Sequence, residues 1–243
     1  IEGYLDDAPF MLSFWYYGVH TPHEGRKDLV EHFKQEGLTD RRAEYAAMVS
    51  AIDESVGRVR EALKKKGIDK NTMIIFLSDQ GSYFDNPPFR GGKLVDTLYE
   101  GGARIPMIVH WAGVTSRGAK NESPVNLNDI LPTLVELAGG QPDYYPDLDG
   151  VSLLQTIRTN KSLDRGSPIF GYRAYEDLYA SVRDGDWKLL AYRSGRTALY
   201  RLSDDVEEVT DLSEDHLDVA GRLRRQLIDW EISMGLDHYS GIR

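Results

Sequence analysis

No cysteine occurs in the 243 residues of this chain. Disulfides, thiolate metal sites and a cysteine nucleophile are therefore excluded within it. No apolar run comes near the roughly 20 residues that a membrane-crossing helix needs. Positive charge is scarce: 29 Lys and Arg stand against 39 Asp and Glu, for a formal net charge of −10. Nonspecific nucleic-acid binding needs a basic surface, so that class is disfavoured. An anionic small molecule is not, because a local pocket can be positive on an acidic protein. Tandem repeats and low-complexity segments are missing too. The opening residues Ile1-Glu2-Gly3-Tyr4-Leu5-Asp6-Asp7 lack a starting Met, a charged n-region and an apolar h-region. The expectation is that they hold no signal peptide and that the chain is a piece of something longer.

What is present is ordinary in bulk and specific in one place. Hydrophobic content of 41% with 28% charged residues suits a globular protein. The length allows one large domain, or a domain with an appendage. The specific place is residues 72–102. An apolar run, Thr72-Met73-Ile74-Ile75-Phe76-Leu77, stops at Ser78-Asp79-Gln80-Gly81. A loop carrying Phe89-Arg90-Gly91-Gly92-Lys93 follows, then Thr97-Leu98-Tyr99-Glu100-Gly101-Gly102. In open α/β sheets ligands bind beyond the carboxyl ends of strands, where Asp79 and Gln80 fall. Two oxygen-bearing side chains and a lysine set directly after two glycines suit an anion held over a hard cation.

Patterning organises the rest. Residues 9–17 read as a fully buried strand, short and aromatic-rich. A short helix is expected around 27–35, and a long one over 41–66. In the long helix Tyr45, Met48, Val49, Ile52, Val56, Val59 and Leu63 recur at steps of three and four. Asp40 is its expected N-cap, and Gly67 closes it. Strands are predicted at 72–77 and 105–111, a long loop at 78–102, and a helix at 128–138. Residues 141–149 form a turn-rich boundary. Short strands at 168–172, 179–183, 187–192 and 198–202 then alternate with turns. Residues 216–234 make an amphipathic helix with Val219, Leu223, Leu227 and Trp230 on one face. The expected division is 1–150 and 151–243, the second part being an antiparallel sheet packed on one helix.

The stretch at 72–102 resembles the sulfatase family of the alkaline-phosphatase-like superfamily. That family commonly reads Asp-Asn-Gly, Arg-Gly-Gly-Lys, and Tyr-Glu-Gly-Gly before an apolar strand. Here the strand is Ile105-Pro106-Met107-Ile108-Val109-His110-Trp111. Pro9-Phe10-Met11-Leu12-Ser13-Phe14-Trp15-Tyr16-Tyr17, leading into His20-Thr21-Pro22, is similar to a second family segment, and Arg183-Asp184-Gly185-Asp186-Trp187-Lys188-Leu189 to its C-terminal hairpin. The resemblance runs from about Pro9 to near the end. It implies an α/β fold: the C-terminal part of an alkaline-phosphatase-like sandwich, with a mostly parallel sheet and flanking helices, plus the small antiparallel sheet.

The resemblance also implies roles. The chain would be the C-terminal half of a sulfatase. The formylglycine nucleophile, made from a Cys-x-Pro-x-Arg motif, and two metal-binding Asp residues would lie in the N-terminal half, the chain's natural partner. Asp79 and Gln80 would bind Ca²⁺, with Mg²⁺ the second choice; Gln80 stands where the family more often has Asn. Zn²⁺ fits poorly, since an amide oxygen is a weak ligand for it. Lys93 would bind a sulfate oxygen and assist the leaving group. His20 would hydrogen-bond the ester and protonate the leaving oxygen, with His23 as competitor. Arg90 neutralises sulfate or braces the loop. Tyr99 and Glu100 fix the loop. Leu94-Val95-Asp96 is a small insertion relative to the family. His32, His110, His216 and His238 are surface or packing residues. The substrate would be a sulfated small molecule or carbohydrate, in an exported setting by family habit. A phosphonate or phosphodiester hydrolase of the same superfamily, or an inactive fragment or binding module, is the alternative. Taken alone, the chain is expected to be inactive. It is also expected to oligomerise through uncovered strands or to rearrange around 78–102.

Overall fold

The computed structural model describes residues 1, 3 and 8–236. Most of the segment read for a signal peptide, and His238, lie outside the described residues. The chain divides into two compact units, Ile1–Ile74 with Trp111–Gly113, and Ile75–His110 with Val114–Arg243.

The first unit is built on two helices, α1 (Lys27–Gln35) and α2 (Asp40–Lys66). Small residues at the crossing let the backbones approach. Ala43 and Ala47 are fully buried against Val30, with Leu29 and Phe33 packed around them. Gly25 is needed there, since a Cβ on it would lie 2.6 Å from the Ala47 Cβ. Helix α2 stops at Gly67, in the left-handed region at φ 73°, whose N–H reaches the carbonyls of Leu63 and Lys64. Asp40 is not the cap: Thr39 holds that position, and Asp40 is the first helical residue. Its carboxylate lies 2.8 Å from Lys34 Nζ instead. The expected apolar face of α2 is partly open, with Met48 and Leu63 buried but Val49 47% exposed.

Residues 9–17 are not a strand. The composition suits one, but a strand exists only when a neighbour completes its hydrogen-bond ladder. None of the described residues does so, and Met11, Phe14, Trp15 and Tyr17 lie exposed, Trp15 by 90%.

In the rest of the chain β1 (Met73–Leu77) and β2 (Met107–Trp111) form a two-stranded sheet. Every β1 residue is half-buried, and Ile108 on β2 is 61% exposed. Two strands alone leave their faces largely uncovered. Between them lies the four-residue helix α3 (Glu100–Ala103). Helix α4 (Ile130–Leu137) is entered through a reciprocal cap, in which the Asn126 side chain accepts from the Asn128 N–H and Asp129 accepts from the Asn126 N–H. Helix α5 (Leu154–Thr159), one and a half turns long, was not expected from the pattern.

Four strands then form an antiparallel sheet in sequence order: β3 (Ile169–Tyr172), β4 (Leu178–Asp184), β5 (Trp187–Tyr192) and β6 (Thr197–Arg201). Val182 pairs with Leu189 and Leu189 with Leu199. Alternation divides these strands between two cores. Tyr179, Val182, Leu189 and Leu199 pack on Leu223 and Leu227 of α6 (Leu217–Ser233). Leu178, Leu190, Tyr192 and Tyr200 face the other way and pack on Leu98 and Tyr99. The loop between β1 and β2 thus roofs the second face of this sheet.

Candidate functional site

Glycine backbone builds the candidate site. Beyond β1 the chain turns at Ser78, whose hydroxyl donates to the Gln80 carbonyl at 2.9 Å. The Gly81 N–H donates to Gly102 O at 2.8 Å and the Ser82 N–H to Gly101 O at 3.2 Å. The Lys93 N–H donates to Ser82 O at 2.9 Å, and the Gly101 N–H to Arg90 O at 2.7 Å. Three separate stretches therefore meet through main chain alone. Side chains are excluded from the junction: a Cβ on Gly81 would lie 2.0 Å from Gly101 O, and one on Gly101 2.3 Å from Gly91 O. Gly91, at φ 73°, also needs the left-handed region that glycine adopts freely. The three residues 94–96 close as a tight turn, with the Gly92 N–H on Val95 O at 3.0 Å and Asp96 at φ 52°.

Asp79, Gln80, Arg90 and Lys93 belong to this junction, within the second unit. Asp79 is exposed and Gln80 half-buried. Lys93 is half-buried as well, and forms no ion pair among the described residues, on a protein with a surplus of carboxylates. One guanidinium nitrogen of Arg90 donates to Glu208 O at 3.1 Å, and the group lies 4.1 Å above the Tyr99 ring. Tyr99 is buried, with its hydroxyl 2.6 Å from that of Tyr192. Burial pushes the Tyr99 phenol up to about 12, so it stays protonated. Thr97 ties the loop to the sheet, its N–H and hydroxyl both donating to Glu176.

His20 lies in the first unit, exposed, with Nδ1 2.7 Å from the Thr21 carbonyl and its ring 5.6 Å from that of Tyr17. His23 is half-buried, its ring edge-on to Tyr45. Burial, then the Arg41 charge, lowers its pKa and favours the neutral imidazole. His216 packs on Trp187.

The donor chemistry at the end of β1 is all oxygen, a carboxylate and an amide, which fits a hard cation such as Ca²⁺. Among the described residues no three His, Asp or Glu side chains gather where they could hold a metal ion. Asp79 and Gln80 would supply two of the roughly six to eight oxygens that Ca²⁺ takes.

Sequence reasoning missed what stands behind the loop. Glu208 accepts from the Glu100 N–H at 2.6 Å, and Lys188 reaches Glu100 at 2.8 Å. The available signal was alternation in β5, which puts Lys188 on the same face as Leu190 and Tyr192.

Residues 1–140 match the sulfatase family model, and residues 95–232 match the model described as N-sulphoglucosamine sulphohydrolase, C-terminal. The chain is a member of the sulfatase family. A sulfatase of Formosa agariphila is 32% identical, over 96% of this chain and 49% of its own length. Mouse N-acetylgalactosamine-6-sulfatase is 33% identical, over 68% of this chain and 31% of its own length. The chain thus spans about half or less of the curated relatives it matches. The crystal structure of Ps i-CgsB superimposes with a TM-score of 0.80 at 31% identity, covering 88% of this chain and 48% of that one. The phosphonate monoester hydrolase of Agrobacterium radiobacter shares the fold at a TM-score of 0.60 and 24% identity.

Among the described residues no helix is long and apolar enough to cross a membrane.

Proposed function

We propose that this chain is the C-terminal part of a sulfatase that hydrolyses sulfate esters, with residues 1–150 completing the catalytic α/β domain and 151–243 forming the appended sheet and helix. The observation that carries this reading is Lys93: half-buried, without a carboxylate partner among the described residues, and fixed through its own N–H on the Ser82 carbonyl at the edge of the glycine junction. Such a cation is uncompensated until an anion arrives. Lys93 binds a sulfate oxygen and offsets the charge that develops as the ester bond breaks. His20 donates its proton toward the leaving oxygen. Asp79 and Gln80 hold Ca²⁺, or less favourably Mg²⁺, through carboxylate and amide oxygens. When bound, that ion supplies Lewis-acid polarisation of the ester. Arg90 braces the loop and adds positive charge beside the anion. The formylglycine nucleophile and the remaining metal ligands come from the N-terminal half of the same protein. A carbohydrate ester is the proposed substrate class; the 30%-identical Ps i-CgsB, solved with k-i-k-neocarrahexaose, supports it.

The full-length protein tests the reading. It is assayed on 4-nitrophenyl sulfate, a panel of sulfated sugars, and matched phosphonate and phosphate diesters, with and without Ca²⁺. Calcium-dependent sulfate release is expected. Lys93→Ala should lower kcat/KM by about 10²- to 10³-fold, the scale of one lost charge-stabilising group. Turnover of the phosphorus esters alone would transfer the site to the phosphonate-hydrolase branch of the fold.

A further inference from the structure

Three charged side chains sit almost dry behind the glycine junction. Lys188 on β5 is 3% exposed, Glu100 4% and Glu208 0%. The Lys188 ammonium lies 2.8 Å from Glu100 Oε1 and 2.9 Å from Glu208 Oε1. The second Glu208 oxygen accepts from the Glu100 N–H. Arg104 and Arg183 stand 3.8 and 3.9 Å from Glu100 Oε2. Glu208 is held at φ 55°, where a side chain is strained, and its carbonyl is gripped by Arg90.

As a source of stability this group is a poor bargain. Charges taken out of water cost more than an apolar plug of equal volume, unless their placement serves a purpose. Burial pushes Glu208 above the usual carboxylate range, against the pull of Lys188. Glu100 is buried too, yet Lys188, Arg183 and Arg104 hold it below that range. What the group does supply is direction. Glu100 opens α3, and the next two peptides carry the contacts to Arg90, Gly81 and Ser82. Ser82 in turn receives the Lys93 N–H.

We propose that Lys188, Glu100 and Glu208 form a positioning centre that sets the 78–102 loop, and through it Lys93, on the rigid frame of the antiparallel sheet. An apolar plug could slide along the sheet face. A lysine hydrogen-bonded to Glu100 and ion-paired with Glu208, whose other oxygen accepts from the first N–H of α3, fixes both height and rotation of the junction. The kinetic consequence rests on the sulfatase reading of Lys93; the structural one does not.

The test uses the full-length protein with Glu208→Gln and, separately, Lys188→Met. Amide hydrogen exchange is compared between peptides spanning 78–102 and peptides spanning 178–192. Exchange in the loop should rise by about tenfold or more, while the sheet stays at the wild-type rate. Turnover of 4-nitrophenyl sulfate, measured well below each melting temperature, should fall by about 10²-fold, the cost of a slightly misplaced catalytic group. A loop that exchanges at the wild-type rate, or a loop and sheet that loosen together, would overturn the proposal. If either substitution prevents folding, Arg90→Gln decides instead: it removes the grip on the Glu208 carbonyl from the exposed side, and must accelerate the loop alone. A wild-type protein that releases no sulfate would remove the sulfatase reading, and the exchange comparison would still decide the positioning centre.

Discussion

At Gly101 one added methyl group would meet two carbonyl oxygens, Gly91 O at 2.3 Å and Arg90 O at 2.6 Å. Both are backbone, so neither can turn aside. Gly101→Ala should destabilise by about 1–3 kcal/mol, as overpacking does, and abolish turnover in the full-length protein. Gly57 in the middle of α2 is the opposite case. Nothing lies within 4 Å of its missing Cβ, so Gly57→Ala should stabilise by about 0.5–1 kcal/mol. Thermal denaturation of the pair separates a glycine that is required from one that is incidental. Asp211 makes a pH-dependent contribution. Burial raises its pKa, but the N–H groups of Leu199 and Ser213, which donate to its carboxylate at 3.0 and 2.9 Å, outweigh that and leave it lowered. A carboxylate with a lowered folded pKa stabilises fully above its unfolded value of about 3.9, and loses that contribution as pH falls through the folded value. Asp211 is exposed and water screens these bonds, so Asp211→Asn should cost only about 0.5–1 kcal/mol at pH 7 and almost nothing in strong acid, as read by denaturant midpoints across pH. The motif put Asp79 and Gln80 at the end of β1 and Lys93 after the paired glycines of the loop, and they lie there. Glu208 was not legible, because it lies more than a hundred residues from the loop it grips, in a stretch that reads as a polar turn.

At the scale of elements, hairpins were the easiest to read. Each of the four strands of the antiparallel sheet sits within about two residues of its alternating pattern, since period and turn residues agree there. Helix α6 follows for the same reason. Leu223 and Leu227 are buried against the sheet, and Leu227→Ala should cost about 2–5 kcal/mol in chemical denaturation. A loss below about 1 kcal/mol would mean that the helix is not docked as described. The illegible elements fail for a different physical reason. Helix α5 is too short for a period to emerge. The aromatic segment 9–17 has the composition of a strand, but composition does not supply a neighbour. The second face of the antiparallel sheet was also out of reach: alternation says that Leu190 and Tyr192 point away from α6, and cannot say that Leu98 and Tyr99 wait there.

At the scale of the molecule, the exposed segment 9–17 sets the behaviour of the chain in isolation. Met11, Phe14, Trp15 and Tyr17 are 75%, 55%, 90% and 65% exposed, a contiguous patch of the sort that drives association. The chain expressed by itself should sediment as oligomers at micromolar concentration, and Phe14→Ser with Trp15→Ser should shift it toward monomer. A monodisperse monomer of the unaltered chain would sink this expectation. A different consequence follows from the loop that roofs the sheet. Loops that carry chemistry are commonly the first parts of a protein to open, and heat then abolishes activity well before the fold is lost. Here Leu98 and Tyr99 are part of the sheet's own core, and Thr97 before them is buried. Opening the loop would unroof one face of the sheet, and melting the sheet would release the loop. Thermal inactivation and global unfolding of the wild-type protein should then coincide as one event, and only a variant that loses the Lys188, Glu100 and Glu208 contacts should gain a range of temperature in which the loop opens over an intact sheet.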